Sequence, residues 1–313
     1  MKRRIRKSLP EHEARGGRSA VSGAPSGVTR LDRPVTSPFD PPAKRGRRRA
    51  AAVLGLVVAS GLIYYSGDQR RAVSPAAGDS LLGNLGASPD DRATIRVATF
   101  NIHGGVGDDR RLNLARTAEA LKEFDLVLLN EVHGPSLWQT KGQAEQLAQL
   151  AGKRWLFAPT EERWWHHRFG NAVLASANVG HWHTIGLPAH GRGQRNLVLM
   201  SVQHGGRTIH VVGTHLDRSD PRDRAEQFRA ATGLFLSLAE PAILLGDLNT
   251  TADEDCLRTL LDRPDVHDPL GETRRGAVPP RIDWLLTRGL KTVNAGIVDN
   301  GASDHPLIWA ELE

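Results

Sequence analysis

Polar residues of a few kinds recur where apolar runs end. Asn101 closes Thr99-Phe100-Asn101, Glu131 closes Leu128-Leu129-Asn130-Glu131, and His215 follows Val211-Val212-Gly213-Thr214. Asp247 and Asn249 follow Ile243-Leu244-Leu245-Gly246, Asp283 sits in Arg281-Ile282-Asp283-Trp284, and Asp304 and His305 precede Pro306-Leu307-Ile308. Carboxylates and carboxamides offer hard oxygen ligands to a cation, and imidazole exchanges protons near neutral pH. Taken singly, each residue also has an ordinary reading. A strand-end Asn or Asp is commonly a turn or cap residue, and a lone His is more often a hydrogen-bonded surface or core group.

If the apolar runs are strands, they bring these side chains to one rim. The runs Ile95–Ile102, Leu126–Val132, Asn171–Ser176, Leu197–Gln203, Thr208–Thr214, Ala242–Leu245, Ile282–Leu286 and Leu307–Leu312 have strand length and are rich in Val, Ile and Leu. Between them, helical spacing of apolar residues predicts helices over Arg111–Phe124, Ser136–Ala151, Asp220–Ala239 and Asp253–Leu261. Asp220-Pro221 reads as a cap followed by proline at the first helical position. Strands of both hairpin and crossover type point to sheets covered by helices.

Together and in this order, the motifs resemble the endonuclease/exonuclease/phosphatase superfamily. The matching stretches are TFNIHG at 99–104, LLNEV at 128–132, GNAVLAS at 170–176, GTHLD at 213–217, LLGDLN at 244–249, RIDWLL at 281–286 and SDHPL at 303–307. The resemblance implies a four-layer α/β sandwich with two mostly antiparallel central sheets flanked by helices. It also implies hydrolysis of phosphate esters assisted by Mg²⁺ or Mn²⁺. A hard divalent ion neutralises the anionic ester and positions it. By analogy Glu131 is the primary metal ligand, with Asn101 and Asp304 nearby. His305 acts as general base or phosphate-holding imidazolium, and Asp283 orients it. Asp247 and Asn249 position the attacking water, and His215 donates to a phosphate oxygen.

Some positions depart from the pattern. Asn130 stands where relatives commonly have Gln, and Ala177 replaces an Arg after GNAVLAS. The carboxylate that pairs with His215 in some relatives has no secure match, Glu161 and Glu162 being the nearby candidates. Trp164, Trp165, His166 and His167 read either as a substrate rim or as plain packing and exposure. Arg192 and Arg195 read either as phosphate ligands or as solvated surface.

Charge is distributed unevenly along the 313 residues. Residues 1–49 hold 14 Lys and Arg against four acids; that segment is +10 in a chain of +6 overall, so the remainder is −4. The basicity therefore gives no support for a DNA-binding surface on the folded part. Few large apolar residues occur in 1–49, which reads as a disordered cytoplasmic tail, with contact to anionic lipid or nucleic acid as the sharper alternative. Ala50 to Gly67 has no charge and reads as a single membrane-spanning anchor, a cleaved signal and a buried core helix being the rivals. The preceding cluster of positive charge places the N-terminus in the cytoplasm and the rest outside. Residues 68–92 read as a linker and 93–313 as one catalytic domain. The lone Cys256 excludes an intramolecular disulfide and a multi-thiolate zinc site.

The expected protein is thus a membrane-anchored, divalent-metal-dependent phosphodiesterase. Nucleic acid, phospholipid and small phosphodiesters are the open substrate classes, DNA cleavage is one alternative, and a catalytically silent binding or scaffold module is the alternative of another class. No protein partner is implied.

Overall fold

Apolar periodicity and turn chemistry account for most elements of the computed structural model, which describes residues 44–67, 71–83, 92–162, 168–191, 193–274 and 278–313. Most of the basic tail, the Trp164–His167 group and Arg192 lie outside the described residues. The chain divides into two units, Met1–Leu54 and Gly55–Glu313. The boundary falls inside helix α1 (Lys44–Gly67). That helix begins six residues before the charge-free stretch, because the Lys and Arg there are good helix formers. Its apolar residues, such as Leu54, Leu56 and Leu62, are exposed.

Strands β1 (Arg71–Ala72) and β2 (Ala77–Gly78) come next, then β3 (Ile95–Asn101), α2 (Leu114–Leu121), β4 (Leu126–His133), α3 (Gln143–Ala151), β5 (Arg154–Glu162) and β6 (Phe169–Ala175). They are followed by β7 (Asn178–Gly186), β8 (Asn196–His204), β9 (Arg207–His215), α4 (Pro221–Ser237), β10 (Ala242–Asp247), α5 (Asp255–Leu261), α6 (Pro269–Arg274), β11 (Asp283–Arg288), β12 (Thr292–Val298) and β13 (Leu307–Leu312).

Two helix starts move inward for local reasons. The Asn113 side chain accepts from Arg116 N–H and so caps α2. Ser136 Oγ accepts from the N–H groups of Trp138 and Gln139, which makes a side-chain turn where a helix was expected. Helix α4 starts as its sequence indicates, with Asp220 accepting from Arg222 and Asp223 N–H.

Two mixed sheets result, in the orders β1-β5-β6-β4-β3-β13-β12 and β11-β10-β9-β8-β7-β2. Each contains one parallel pair, β3 with β4 and β10 with β9; the remaining neighbours are antiparallel. Period-two alternation sorts the side chains into three cores. Leu126, Leu128, Val211, Ile243 and Leu245 fill the space between the sheets. Val127 and Leu129 face the other way and pack with Leu121 and Leu147 of α2 and α3. Val212 and Leu244 pack with Phe228, Phe235 and Leu257 of α4 and α5. The layers are therefore helices, sheet, sheet, helices.

Residues 71–83 lie within the stretch expected to be a linker, and they add an edge strand to each sheet. Ala72 pairs with Glu161 of β5, and Ala77 with His183 of β7. Leu82 and Trp155 exchange both backbone hydrogen bonds at 2.8 Å.

Candidate active site

Register does most of the gathering. In the parallel pair β9–β10, His215 lies opposite Asp247; in the antiparallel pair β10–β11, Asp247 lies opposite Asp283. Three neighbouring strands thus present His215, Asp247 and Asp283 in a row. Gly246 makes this possible: at φ 138° it lies where a Cβ would meet Thr214 O at 1.8 Å. From the other sheet, β3 and β4 pair Asn101 with Asn130. A register shift between Leu129 and Val132 then bulges β4 and re-aims Glu131, whose φ is 58°.

The two sheets meet at Asn101. Its Nδ2 donates to Glu131 Oε1 at 3.2 Å and to Asp247 Oδ2 at 3.0 Å, and its Oδ1 accepts from His103 N–H. Asp247 Oδ1 accepts from Asn249 N–H at 2.9 Å, and Asn249 Nδ2 donates to Leu216 O at 3.0 Å. His305 arrives on the turn before β13. Ser303 Oγ fixes that turn, donating to Asn101 O at 2.7 Å and accepting from His305 N–H at 3.3 Å. His305 Nδ1 lies 2.7 Å from Asp283 Oδ2 and 4.0 Å from Asp247 Oδ2. The carboxylate beside His215 is Asp247, its Oδ2 3.6 Å from Nε2. Asp304 is the outlying member: its side chain is exposed and its Oδ1 stands 3.4 Å from His103 Nδ1.

Burial and crowding of like charge set the electrostatics. Burial, and then the Asp283 charge, pushes the Asp247 carboxyl up to about 7; burial also raises Asp283. Burial works against the charged form of His305, yet the hydrogen bond to Asp283 and the nearby carboxylates outweigh it, pushing the imidazole up to about 9. Burial, with Arg195 and His305 nearby, holds His215 well below the usual histidine range, so it is neutral at pH 7.

The donor set fits a hard cation. Asp247, Asp283 and His305 each offer a ligand atom within 4.8 Å of the others'. Asp283 Oδ1 is buried without a hydrogen-bond partner, and Glu131 adds a further carboxylate at the same rim. An unmatched buried carboxylate oxygen among further carboxylates is what Mg²⁺ or Mn²⁺ satisfies.

Two features escaped sequence reasoning, and a third was left with two readings. The first is a ladder of buried carboxamides under the rim. Asn130 Oδ1 accepts from Asp247 N–H at 3.0 Å, while its Nδ2 donates to Asn171 Oδ1 and Thr214 O. Asn171 Nδ2 donates to Asn196 Oδ1, and Asn196 Nδ2 to Pro159 O. Asn130 lies inside the apolar run of β4, Asn171 near the start of β6 and Asn196 at the start of β8.

The second feature is a clamp on α4. Gln227 is fully buried, accepting from Asp217 N–H and donating to Pro188 O. Asp223 accepts from the backbone N–H groups of His190 and Gly191 and lies 2.7 Å from His190 Nδ1. The third is Arg195, which this clamped segment carries to the start of β8. Burial pulls its guanidinium downward against the charges of Asp217, Glu131, Asp247 and Glu161, and among the described residues none of these carboxylates is within ion-pair distance. Its Nε is buried without a partner.

Paired sheets whose rim joins carboxylates, carboxamides and two imidazoles define a class of hydrolase in which a divalent cation and side-chain proton carriers act on phosphate esters. The chain belongs to the endonuclease/exonuclease/phosphatase family, whose sequence profile matches residues 98–305. Members of the family are metal-dependent phosphoric ester hydrolases, and this chain is one. Solved structures with the same fold include an endonuclease/exonuclease/phosphatase from Beutenbergia cavernae DSM 12333. It is 23% identical with a TM-score of 0.58, over 71% of this chain and 72% of that one. A humanised D. rerio TDP2 is 18% identical, TM-score 0.53, over 71% and 100% of the two chains. The mannosyl-6-phosphatase Bt3783 of Bacteroides thetaiotaomicron VPI-5482 is 14% identical, TM-score 0.53, over 70% and 99%. No protein of curated function matches the sequence.

Proposed function

We propose that this protein is a membrane-anchored phosphodiesterase using Mg²⁺ or Mn²⁺, with its catalytic domain outside the cytoplasm. The observation that carries the proposal is the junction of Asn101, Glu131 and His305 from one sheet with Asp247 and Asp283 from the other. Glu131, Asn101 and Asp304 are the residues that would hold the cation, with the Asp247–Asp283 pair close by. When bound, the ion neutralises phosphate charge and polarises the ester.

The side chains do the rest. Asp283 holds His305 by Nδ1, which leaves Nε2 of the charged ring to hold a phosphate oxygen or, in the neutral form, to take a proton from the attacking water. Asp247 and Asn249 orient that water for in-line attack. Neutral His215 donates one N–H to a phosphate oxygen as charge builds. Arg195, set among carboxylates but paired with none among the described residues, supplies a fork for the phosphate.

The anchor reading rests on α1, in which Gly46–Tyr65 is long and apolar enough to cross a membrane and is not buried in the protein. Arg47, Arg48 and Arg49 at its N-terminal side support a cytoplasmic N-terminus. Residues 1–49 as tail, 50–67 as anchor and 93–313 as the catalytic domain remain the working division, with 71–83 assigned to the catalytic body because they pair with it.

The test uses full-length protein in detergent micelles with Mg²⁺. Bis(4-nitrophenyl) phosphate should be cleaved faster than the 4-nitrophenyl monoester, and Glu131→Gln should lose turnover while staying folded. A wild-type protein that cleaves neither would leave a scaffold. The D. rerio TDP2 structure described as complexed with single-strand DNA product favours a second reading, DNA cleavage; single-stranded DNA is the substrate that decides it. A reporter fused to Glu313 should be active only outside the cytoplasm.

A further inference from the structure

The two segments that carry Asn249 and Asp283 also wall a second cavity. Leu248 N–H donates to Ile282 O at 2.9 Å and Trp284 Nε1 donates to Thr250 O at 2.9 Å, so the segments are fastened together at the rim. Two residues past Asn249 and two before Asp283, Thr251 and Arg281 line a cavity of about 370 Å³. That volume suits a ring-sized ligand.

The lining defines what fits. Leu261, Val278, Pro279 and Trp284 give apolar faces. Arg281, its side chain 6% exposed, lies over the Trp284 ring at 3.9 Å and donates through Nη2 to Asp268 Oδ2. Nε of Arg281 and Oδ1 of Asp268 are both buried without partners. Buried polar atoms left unmet are uncommon and mark where a ligand or water completes the structure. The Asp268 charge offsets that of Arg281, and Asp253 adds another negative charge to the lining. The cavity therefore does not suit a second phosphate.

We infer that this cavity receives the uncleaved ester arm of a phosphodiester, an uncharged ring-bearing alcohol with polar edges. The inference rests on the phosphodiesterase reading and narrows its substrate class. Monoesters have no second arm and leave the cavity idle.

Two esters with the same leaving group separate the possibilities: thymidine 5′-(4-nitrophenyl phosphate) and methyl 4-nitrophenyl phosphate. With full-length protein in micelles and Mg²⁺, the thymidine ester should have the higher kcat/KM by at least about tenfold, mainly through KM. Thymidine itself should compete with it. Ala252→Trp and Leu261→Trp, which fill the cavity, should bring the ratio of the two esters towards one. Equal kcat/KM values in the wild type, no competition by thymidine, or an unchanged ratio in both variants would each overturn the inference while leaving the phosphodiesterase intact. Failure to cleave either ester would remove the phosphodiesterase reading itself.

Discussion

Nδ1 of His305 lies 2.7 Å from Oδ2 of Asp283, two side chains 22 residues apart that arrive from different strand ends. The contact fixes which ring nitrogen faces the site and stabilises the charged ring. An amide at 283 can hold the ring but cannot balance its charge. Asp283→Asn should therefore lower kcat by about 10²–10⁴-fold with KM little changed. Steady-state kinetics on a phosphodiester checks this; an unchanged kcat would remove His305 from proton transfer.

Crowded carboxylates at the rim make cation binding visible without turnover. A ligand that binds only the folded state at 100 times its Kd adds about 2.7 kcal/mol of stability. Mg²⁺ or Mn²⁺ should raise the Tm of wild type, and chelation should abolish hydrolysis. Glu131→Gln should show a much smaller rise. An equal rise in both proteins would mean that the cation sits elsewhere.

Asn130 is fully buried beneath the rim, and its carboxamide holds the backbone of Asp247 and ties two sheets together. Asn130→Leu strands Asp247 N–H and the Asn171 carboxamide in the interior. The expected loss is about 1–3 kcal/mol, read as a lower urea midpoint. A neutral result would show that the ladder relaxes around the change.

Arg195 stands among carboxylates and makes no ion pair among the described residues, which leaves its fork for an anion. Arg195→Gln should raise KM for a phosphodiester by roughly 10- to 100-fold, the worth of a hydrogen bond to a charged group. Arg195→Lys should recover only part, since a point charge lacks the planar fork. If Gln binds substrate as tightly as Arg, the guanidinium has another purpose.

The clamp from α4 predicts a pH dependence away from the cation cluster. Burial works to raise Asp223, but hydrogen bonds from His190 and Gly191 win and lower it below 3.8. Its contribution is complete above 3.8 and is lost as pH falls through the lowered value. Asp223→Asn should thus have a lower Tm than wild type at neutral pH, and the gap should close in acid. A gap constant down to strongly acidic pH would contradict the clamp.

Legibility in the sequence followed burial. Strands buried on both faces, such as β4 and β10, announced themselves as unbroken apolar runs, and their polar ends pointed to Glu131 and Asp247. β7 lies next to the two-residue edge strand β2 and alternates exposed His181 and His183 with partly buried neighbours, so it left no run to read. β5 carries Pro159 and two glutamates, which break up its apolar pattern. Its position next to the sheet edge accommodates them. The ladder Asn130–Asn171–Asn196 was hidden for another reason: only the pairing of sheets tells which carboxamides meet.

The two short strands ahead of the catalytic body have a consequence for where this molecule can be cut. The stretch shared with relatives starts at residue 98, but β1 and β2 act as hems sewn onto the outer margins of both sheets. A protein trimmed to begin near Thr94 would keep every proposed site residue and lose both hems. Bare strands of β5 and β7 would then invite stacking between molecules. The homologous block is shorter than the body whose sheet margins are paired.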